Sequence, residues 1–403
     1  MRHLIASHQA RPSDDLIFAL NGEATRRKAA GESVVNATLG TLMNDDGTLS
    51  LLDTAVKAVK AVPREEWAAY APIAGTGDFL KAVIDDVLGG SPALKATAVA
   101  AATPGGSGAL RHAIANYLEP GQSLLTTSFF WGPYQTLCDE QDRTLDTFPM
   151  FGADGGLDVA ALEAKVEAHL AKQKRVLLFI NDPCQNPTGY SMRDAEWKQV
   201  VEVLLRHAEK GPITLLVDMA YFLYGLAKDP RAFMQHLAPL LGKVGLLFAW
   251  SASKSFTHYG LRVGALIACV PDETERAMTS AAFSYSCRGV WSNCNRGGLA
   301  AVTKLLTDPA LRSACDAERD ALKATLMARV DAFNALARPK GLTYPRYEGG
   351  FFVTVFSSDA QALGSRMKER GVFAVPLKGA VRVALCSVAA NDVARVVEAL
   401  SAA

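Results

Sequence analysis

At 403 residues, with 49% hydrophobic and 21% charged side chains, the chain is long enough for a large core plus a satellite domain. Lys and Arg (42) balance Asp and Glu (41) to a formal net charge of +1, which excludes the basic excess of a nucleic-acid or anionic-membrane protein. Gly (32) and Pro (18) are too few for a disordered or collagenous chain, and seven scattered cysteines without a Cys-x-x-Cys exclude a disulfide framework and a zinc site.

From residue 1 to about 45 the sequence reads as an arm, with turns at Gly40-Thr41 and at 44–47 (NDDG). Met1-Arg2-His3-Leu4 runs into Arg11, Asp14 and Asp15 before an apolar stretch builds. No signal peptide is therefore expected, and reduced thiols suit the cytoplasm. No apolar run reaches membrane-spanning length, since the longest candidate, 215–226, contains Asp218.

Thr103-Pro104-Gly105-Gly106-Ser107-Gly108 leads into a helix expected over 109–118. Backbone N–H groups at such a helix start, with no side chains in the way, hold a phosphate. The same residues also suit a plain capping turn. No Gly-Lys-Ser/Thr follows, so this is not a P-loop. Helical stretches are expected at 158–173 and 195–210, between short β-rich runs at 175–182 (RVLLFIND), 213–218 (ITLLVD), 244–250 (VGLLFAW) and 264–270 (GALIACV). Apolar strands joined through helices predict an α/β fold, a large doubly wound, mostly parallel sheet covered on both faces. A long helix at 317–337 and strands at 349–356 and 380–385 predict a smaller α/β domain. The expected division is 1–45 for the arm and part of the small domain, 46–315 for the large domain and 316–403 for the small one. The natural site is the cleft between the two.

Chemistry-bearing residues sit at the ends of these strands. Asp218 closes ITLLVD three residues before Tyr221, either as a helix N-cap or as an acid presented to a ligand. Ser251-Ala252-Ser253-Lys254-Ser255 closes VGLLFAW, with Arg262 beyond it. A lysine there is either a solvated loop residue or an amine nucleophile flanked by anion partners. Asn186-Pro187-Thr188-Gly189 is a rigid turn after another strand end.

Taken together and in this order, these motifs, with Trp131 and with Arg382 in Val381-Arg382-Val383, resemble the fold-type I pyridoxal-phosphate aminotransferases, within them the aspartate/aromatic amino-acid branch. The resemblance covers nearly the whole chain. It implies pyridoxal 5'-phosphate as cofactor, attached to Lys254, with Asp218 on its ring nitrogen and Tyr221 and Asn186 on its phenolic oxygen. Gly106, Ser107, Ser251, Ser253 and Arg262 would take its phosphate and Trp131 would stack on its ring. Arg382 would bind the substrate α-carboxylate, and Gly40 lies where the family closes its N-terminal segment. Tyr70 and Arg288 resemble residues that one subunit lends to the other, which implies a homodimer with shared active sites. The expected reaction is ping-pong transamination between an amino acid (aspartate, glutamate or an aromatic one) and a 2-oxo acid such as 2-oxoglutarate. No metal, nucleic acid or membrane partner is expected.

A β-lyase or aminocyclopropane-carboxylate-synthase-like enzyme would use the same pocket and is the alternative reading. The sensor domain of a transcription regulator would need a DNA-binding module, for which the arm before Tyr70 is too short and too little basic. Two departures stand out. Gly132-Pro133-Tyr134 follows Trp131 instead of the usual Asn-His or Asn-Tyr pair, and Cys294-Asn295 replaces Pro-Pro.

Overall fold

The computed structural model describes residues 3–12 and 15–401. Met1, Arg2 and Asp14, which carry part of the expectation about the N-terminus, lie outside them. The chain divides into two compact units, Ser50–Thr325 with Arg346–Gly350, and Met1–Leu49 with Leu326–Pro345 and Phe351–Ala403. The division falls inside the single helix Pro309–Ala337, as does the boundary expected at 315–316.

Seven strands form the sheet of the large unit: β1 (Ala98–Thr103), β2 (Ser123–Thr127), β3 (Thr144–Phe148), β4 (Val176–Asn181), β5 (Ile213–Asp218), β6 (Gly245–Ser251) and β7 (Gly264–Cys269). Their spatial order is β1-β7-β6-β5-β4-β2-β3, and only β7 runs antiparallel to its neighbours. Every residue of β4, β5 and β7 is buried, because helices cover both faces. The helix Gly105–Tyr117 packs on β1, β5, β6 and β7, while Val159–Gln173 packs on β3 and β4. Asn181, Asp218 and Ser251 end the adjacent parallel strands β4, β5 and β6, so three polar side chains emerge at one carboxyl edge.

One element differs here from expectation. The helix expected at 109–118 begins at Gly105, so the glycine-rich stretch forms its first turns and does not precede them. Without side chains these turns close against neighbouring groups. A Cβ on Gly105 would lie 2.5 Å from Arg262 Nη2, and one on Gly106 would lie 3.4 Å from Ser251 Cβ.

In the small unit, the arm contains a helix, Leu16–Ala29, that the sequence did not announce. Asp15 caps it by accepting from the N–H groups of Ile17 and Phe18. Ala24 is its one buried residue, so no apolar stripe marks it. Three antiparallel strands follow in the order Val375–Leu377, Ala380–Val383, Val353–Phe356, and Val35–Asn36 pairs in parallel with Val372–Phe373. Arg329, 0% exposed, ties this unit together by donating to Met43 O (2.7 Å), Cys386 O (2.8 Å) and Asp45 Oδ1 (2.8 Å).

Candidate active site

A cavity of about 150 Å³ opens at the carboxyl edge of the large sheet. Gly106, Ser107, Trp131, Asn186, Asp218, Tyr221, Ser251, Ser253, Lys254 and Arg262 all line it, although they are scattered over more than half of the unit's sequence. Strand ends and helix starts explain the gathering. Asp218 ends β5, Ser251 ends β6, and Lys254 sits in the short helical turn Ala252–Ser255 that follows.

Asp218 is 5% exposed. Tyr134 donates its hydroxyl to Oδ2 at 2.6 Å, and the Ala220 N–H reaches Oδ1 at 3.2 Å. Burial pushes this carboxyl up, against the pull of those two bonds and of the nearby Lys254 charge. Asn186 donates to the Tyr221 hydroxyl at 3.3 Å, and the Lys254 Nζ lies 5.0 Å from the centre of the Tyr221 ring. Arg262 donates to Ser253 Oγ (3.2 Å), Tyr259 O (2.9 Å) and Pro104 O (3.3 Å), which fixes its guanidinium beside the Gly105 turn.

Two contributors escaped the sequence reading. Asn181, the last residue of β4, donates to Asp218 O at 2.8 Å and accepts from Asn186 N at 2.7 Å, joining two strand ends. Its signal was a polar residue closing the apolar run RVLLFIND. Tyr134 was visible only as a departure after Trp131, and its partner is 84 residues away.

Tyr70 and Arg288 lie outside the cavity. Tyr70 is 85% exposed, and Arg288, also exposed, donates to Ser292 Oγ at 2.5 Å. Gly40 and Arg382 belong to the small unit. There Arg382, 4% exposed, donates to Thr38 O at 2.6 Å and stacks its guanidinium 4.7 Å from the Phe352 ring centre. A Cβ on Gly40 would come within 2.5 Å of the same ring, which is why the chain has no side chain there.

The donor set fits pyridoxal phosphate. It combines one amine, one buried carboxyl, a flat indole, and hydroxyls and a guanidinium around a helix start that a Cβ at Gly105 would fill. No group of three or more His, Cys, Asp and Glu side chains among the described residues could hold a metal ion. All seven cysteines are free and buried. No helix among the described residues is long and apolar enough to cross a membrane.

Residues 33–400 match the family model described as aminotransferase class I and II. The chain is 28% identical to a tyrosine aminotransferase of Klebsiella pneumoniae, covering 87% of this chain and 88% of that protein. It is 32% identical to an aromatic-amino-acid aminotransferase of Pseudomonas aeruginosa over 70% of each. Among solved structures, an aminotransferase from Anaerococcus prevotii superposes with a TM-score of 0.93 at 30% identity, covering 100% of this chain and 99% of that one. An aromatic-amino-acid aminotransferase from Burkholderia pseudomallei, covalently bound to pyridoxal phosphate, gives 0.82 at 25% identity over 99% of both chains.

Proposed function

Because this chain belongs to the class I and II aminotransferases, we propose that it is a pyridoxal-phosphate-dependent transaminase of aspartate, glutamate or aromatic amino acids, with a 2-oxo acid such as 2-oxoglutarate as acceptor. The observation that carries this reading is the single cavity shared by the Lys254 amine, the buried Asp218 carboxyl and the Gly106–Arg262 cradle.

When bound, pyridoxal phosphate supplies an electrophilic carbon and an electron-accepting ring. Lys254 would hold the cofactor covalently, and its amine would serve as the base that carries the proton of the substrate Cα. Asp218 would pair with the ring nitrogen and keep a proton there. Tyr221 and Asn186 would donate to the phenolic oxygen. Ser107, Ser251, Ser253, Arg262 and the Gly106 backbone would hold the phosphate, and Trp131 would cover the ring and exclude water from it. Arg382 takes the substrate α-carboxylate through a two-pronged bond that a lysine could not match, and Gly40 leaves room for the segment covering it.

The active form is a homodimer in which Tyr70 of a second copy reaches the phosphate and Arg288 reaches a distal carboxylate. Exposed apolar side chains on the large unit, Trp67, Tyr70, Met278, Tyr285 and Val290, support a covered face. The free thiols support a reducing, cytoplasmic setting.

Product analysis tests the reaction type. With aspartate or phenylalanine and 2-oxoglutarate, glutamate should appear in step with the new oxo acid, and Lys254→Ala should abolish it. Ammonia and pyruvate without glutamate would instead identify a lyase.

A further inference from the structure

We propose, on the basis of the shared active site inferred above, that Arg296 is a positioning residue for this reaction, fixing the backbone from which Tyr70 reaches the cofactor phosphate of the second copy.

Tyr70 follows the five-residue helix Arg64–Ala68, which buries none of its side chains. So short a helix, with no core face, cannot hold itself in place, and its position must be set from outside. Arg296 sets it. Its Nε and Nη2 donate to the two carboxylate oxygens of Glu66 at 2.7 and 3.1 Å, and its Nη1 donates to the Tyr70 carbonyl at 3.1 Å. One planar guanidinium thus ties the helix to the residue just beyond its end, a geometry that a lysine cannot reproduce. Gly297, the next residue, seats Trp67 between these two grips, since a Cβ there would lie 2.1 Å from the indole Cε3. The Tyr70 backbone is held while its side chain, 85% exposed, projects from the surface.

The residues around Arg296 are built for this grip. Asn295, which stands where the family has its second proline, caps the helix Arg296–Thr307 by accepting from the Gly298 N–H at 3.0 Å. A proline side chain could not accept that bond. The cap places Arg296 at the first helical position, where a cation opposes the helix dipole. Glu66 offsets that charge. Hydrogen bonding to the guanidinium in turn holds the Glu66 carboxyl below its usual range, against the nearby Asp78 charge. The pair therefore stays ionised at neutral pH. Exposed ion pairs contribute little to stability, which suits a part in placement more than in folding.

Arg296→Ala removes all three bonds. The variant should fold and sediment at twice the chain mass. Its pyridoxal-phosphate dissociation constant, read by titrating the visible band of the lysine-bound cofactor, should rise about three- to tenfold, part of one hydrogen bond to a charged group. In a Tyr70→Phe background the same substitution should change it less than about twofold, because the hydroxyl it positions is gone. Mixed dimers locate the effect. Where one chain carries Arg296→Ala and the other Lys254→Ala, the single band-forming site is served by an intact Arg296 and should bind as wild type. Where a wild-type chain pairs with one carrying both substitutions, its site should be as weak as in the Arg296→Ala homodimer. A wild-type dissociation constant in Arg296→Ala, an undiminished loss in the Tyr70→Phe background, or the reverse pattern in the mixed dimers would overturn the inference alone. A wild type that takes up no pyridoxal phosphate, or takes it up fully as a monomer, would overturn the proposed function or its shared site as well. Should Arg296→Ala fail to assemble, Arg296→Lys, which keeps a cation for Glu66 without the fork onto the Tyr70 carbonyl, takes its place in each test.

Discussion

Gly105 has φ +70°, and a methyl group there would meet the Arg262 guanidinium at 2.5 Å. Gly105→Ala should therefore cost about 1 kcal/mol in backbone strain and also push Arg262 away from the helix start. The expected outcome is at least about a tenfold loss of pyridoxal-phosphate affinity with a melting temperature only a few degrees lower, about one charge-assisted bond lost. Wild-type affinity in that variant would show that the cradle does not depend on this close approach. At this scale, the residues readable from sequence were those whose chemistry contradicts their surroundings. Asp218 and Lys254 are polar groups closing apolar strands, and burying such groups without a purpose is costly. Tyr134 and Phe352 escaped because an aromatic residue in a buried run looks like core. Only the fold brings Tyr134 to Asp218, or sets Phe352 under Arg382.

The turn that carries Lys254 is only four residues long, Ala252–Ser255, and its carbonyl end is held from outside. Arg319, 4% exposed, donates to Ser255 O at 2.9 Å from the helix Pro309–Ala337, and Tyr224 donates to Lys254 O at 3.1 Å. Arg319 also pairs with Asp316, which pairs in turn with Arg312, itself bound to the buried Asp86. Arg319→Met should remove about 2 kcal/mol and lower the apparent melting temperature by about 2–4 °C, with slower turnover as the Lys254 turn loosens. Unchanged stability by scanning calorimetry would contradict this bracing role. Elements with a strong periodic pattern were legible in advance, such as the apolar strands β4 to β7. The Leu16–Ala29 helix was not, because it buries only Ala24 and leaves no apolar stripe to read. β1 escaped because its sequence, AVAAAT, lacks the branched and aromatic residues that mark strands.

For the whole molecule, two buried groups set opposite pH trends. His112 is stacked on Trp291 at 4.2 Å beside the Cys287 thiol, and burial lowers it to about 4. Its folded value lies below the unfolded one, so the stability it supplies is complete above pH 6.5 and lost as pH falls toward 4, at most about 3 kcal/mol. Asp182 is raised to about 7 by burial despite donors from Met192 and Trp197, so its folded form favours the proton. That term weakens the fold as pH rises from about 4 to 7. His112→Phe keeps the stack and should flatten the acid limb of a stability profile between pH 6.5 and 4. An unchanged limb would assign the loss to other groups. The proposed dimer is testable at the same scale, since Met278→Asp with Tyr285→Asp places charge on two exposed apolar positions of the helix Glu273–Val290. Wild type should sediment at twice the chain mass and the double variant as an inactive monomer. An active monomer would contradict the sharing of Tyr70 and Arg288. The α/β class was legible because buried parallel strands and intervening helices have distinct periods. An association of copies was read only from the resemblance of Tyr70 and Arg288 to residues that subunits share, because an exposed tyrosine such as Tyr70 looks the same in sequence whether or not a partner covers it.

The most direct measurement is a visible absorption spectrum of the purified protein supplied with pyridoxal phosphate and titrated with amino acids. A band from the lysine-bound cofactor should form, bleach on adding glutamate, aspartate, phenylalanine or tyrosine, and return with the matching oxo acid. Lys254→Ala should form no such covalent band. A wild-type protein that stays colourless with excess cofactor, or whose band ignores all four amino acids, would contradict the account.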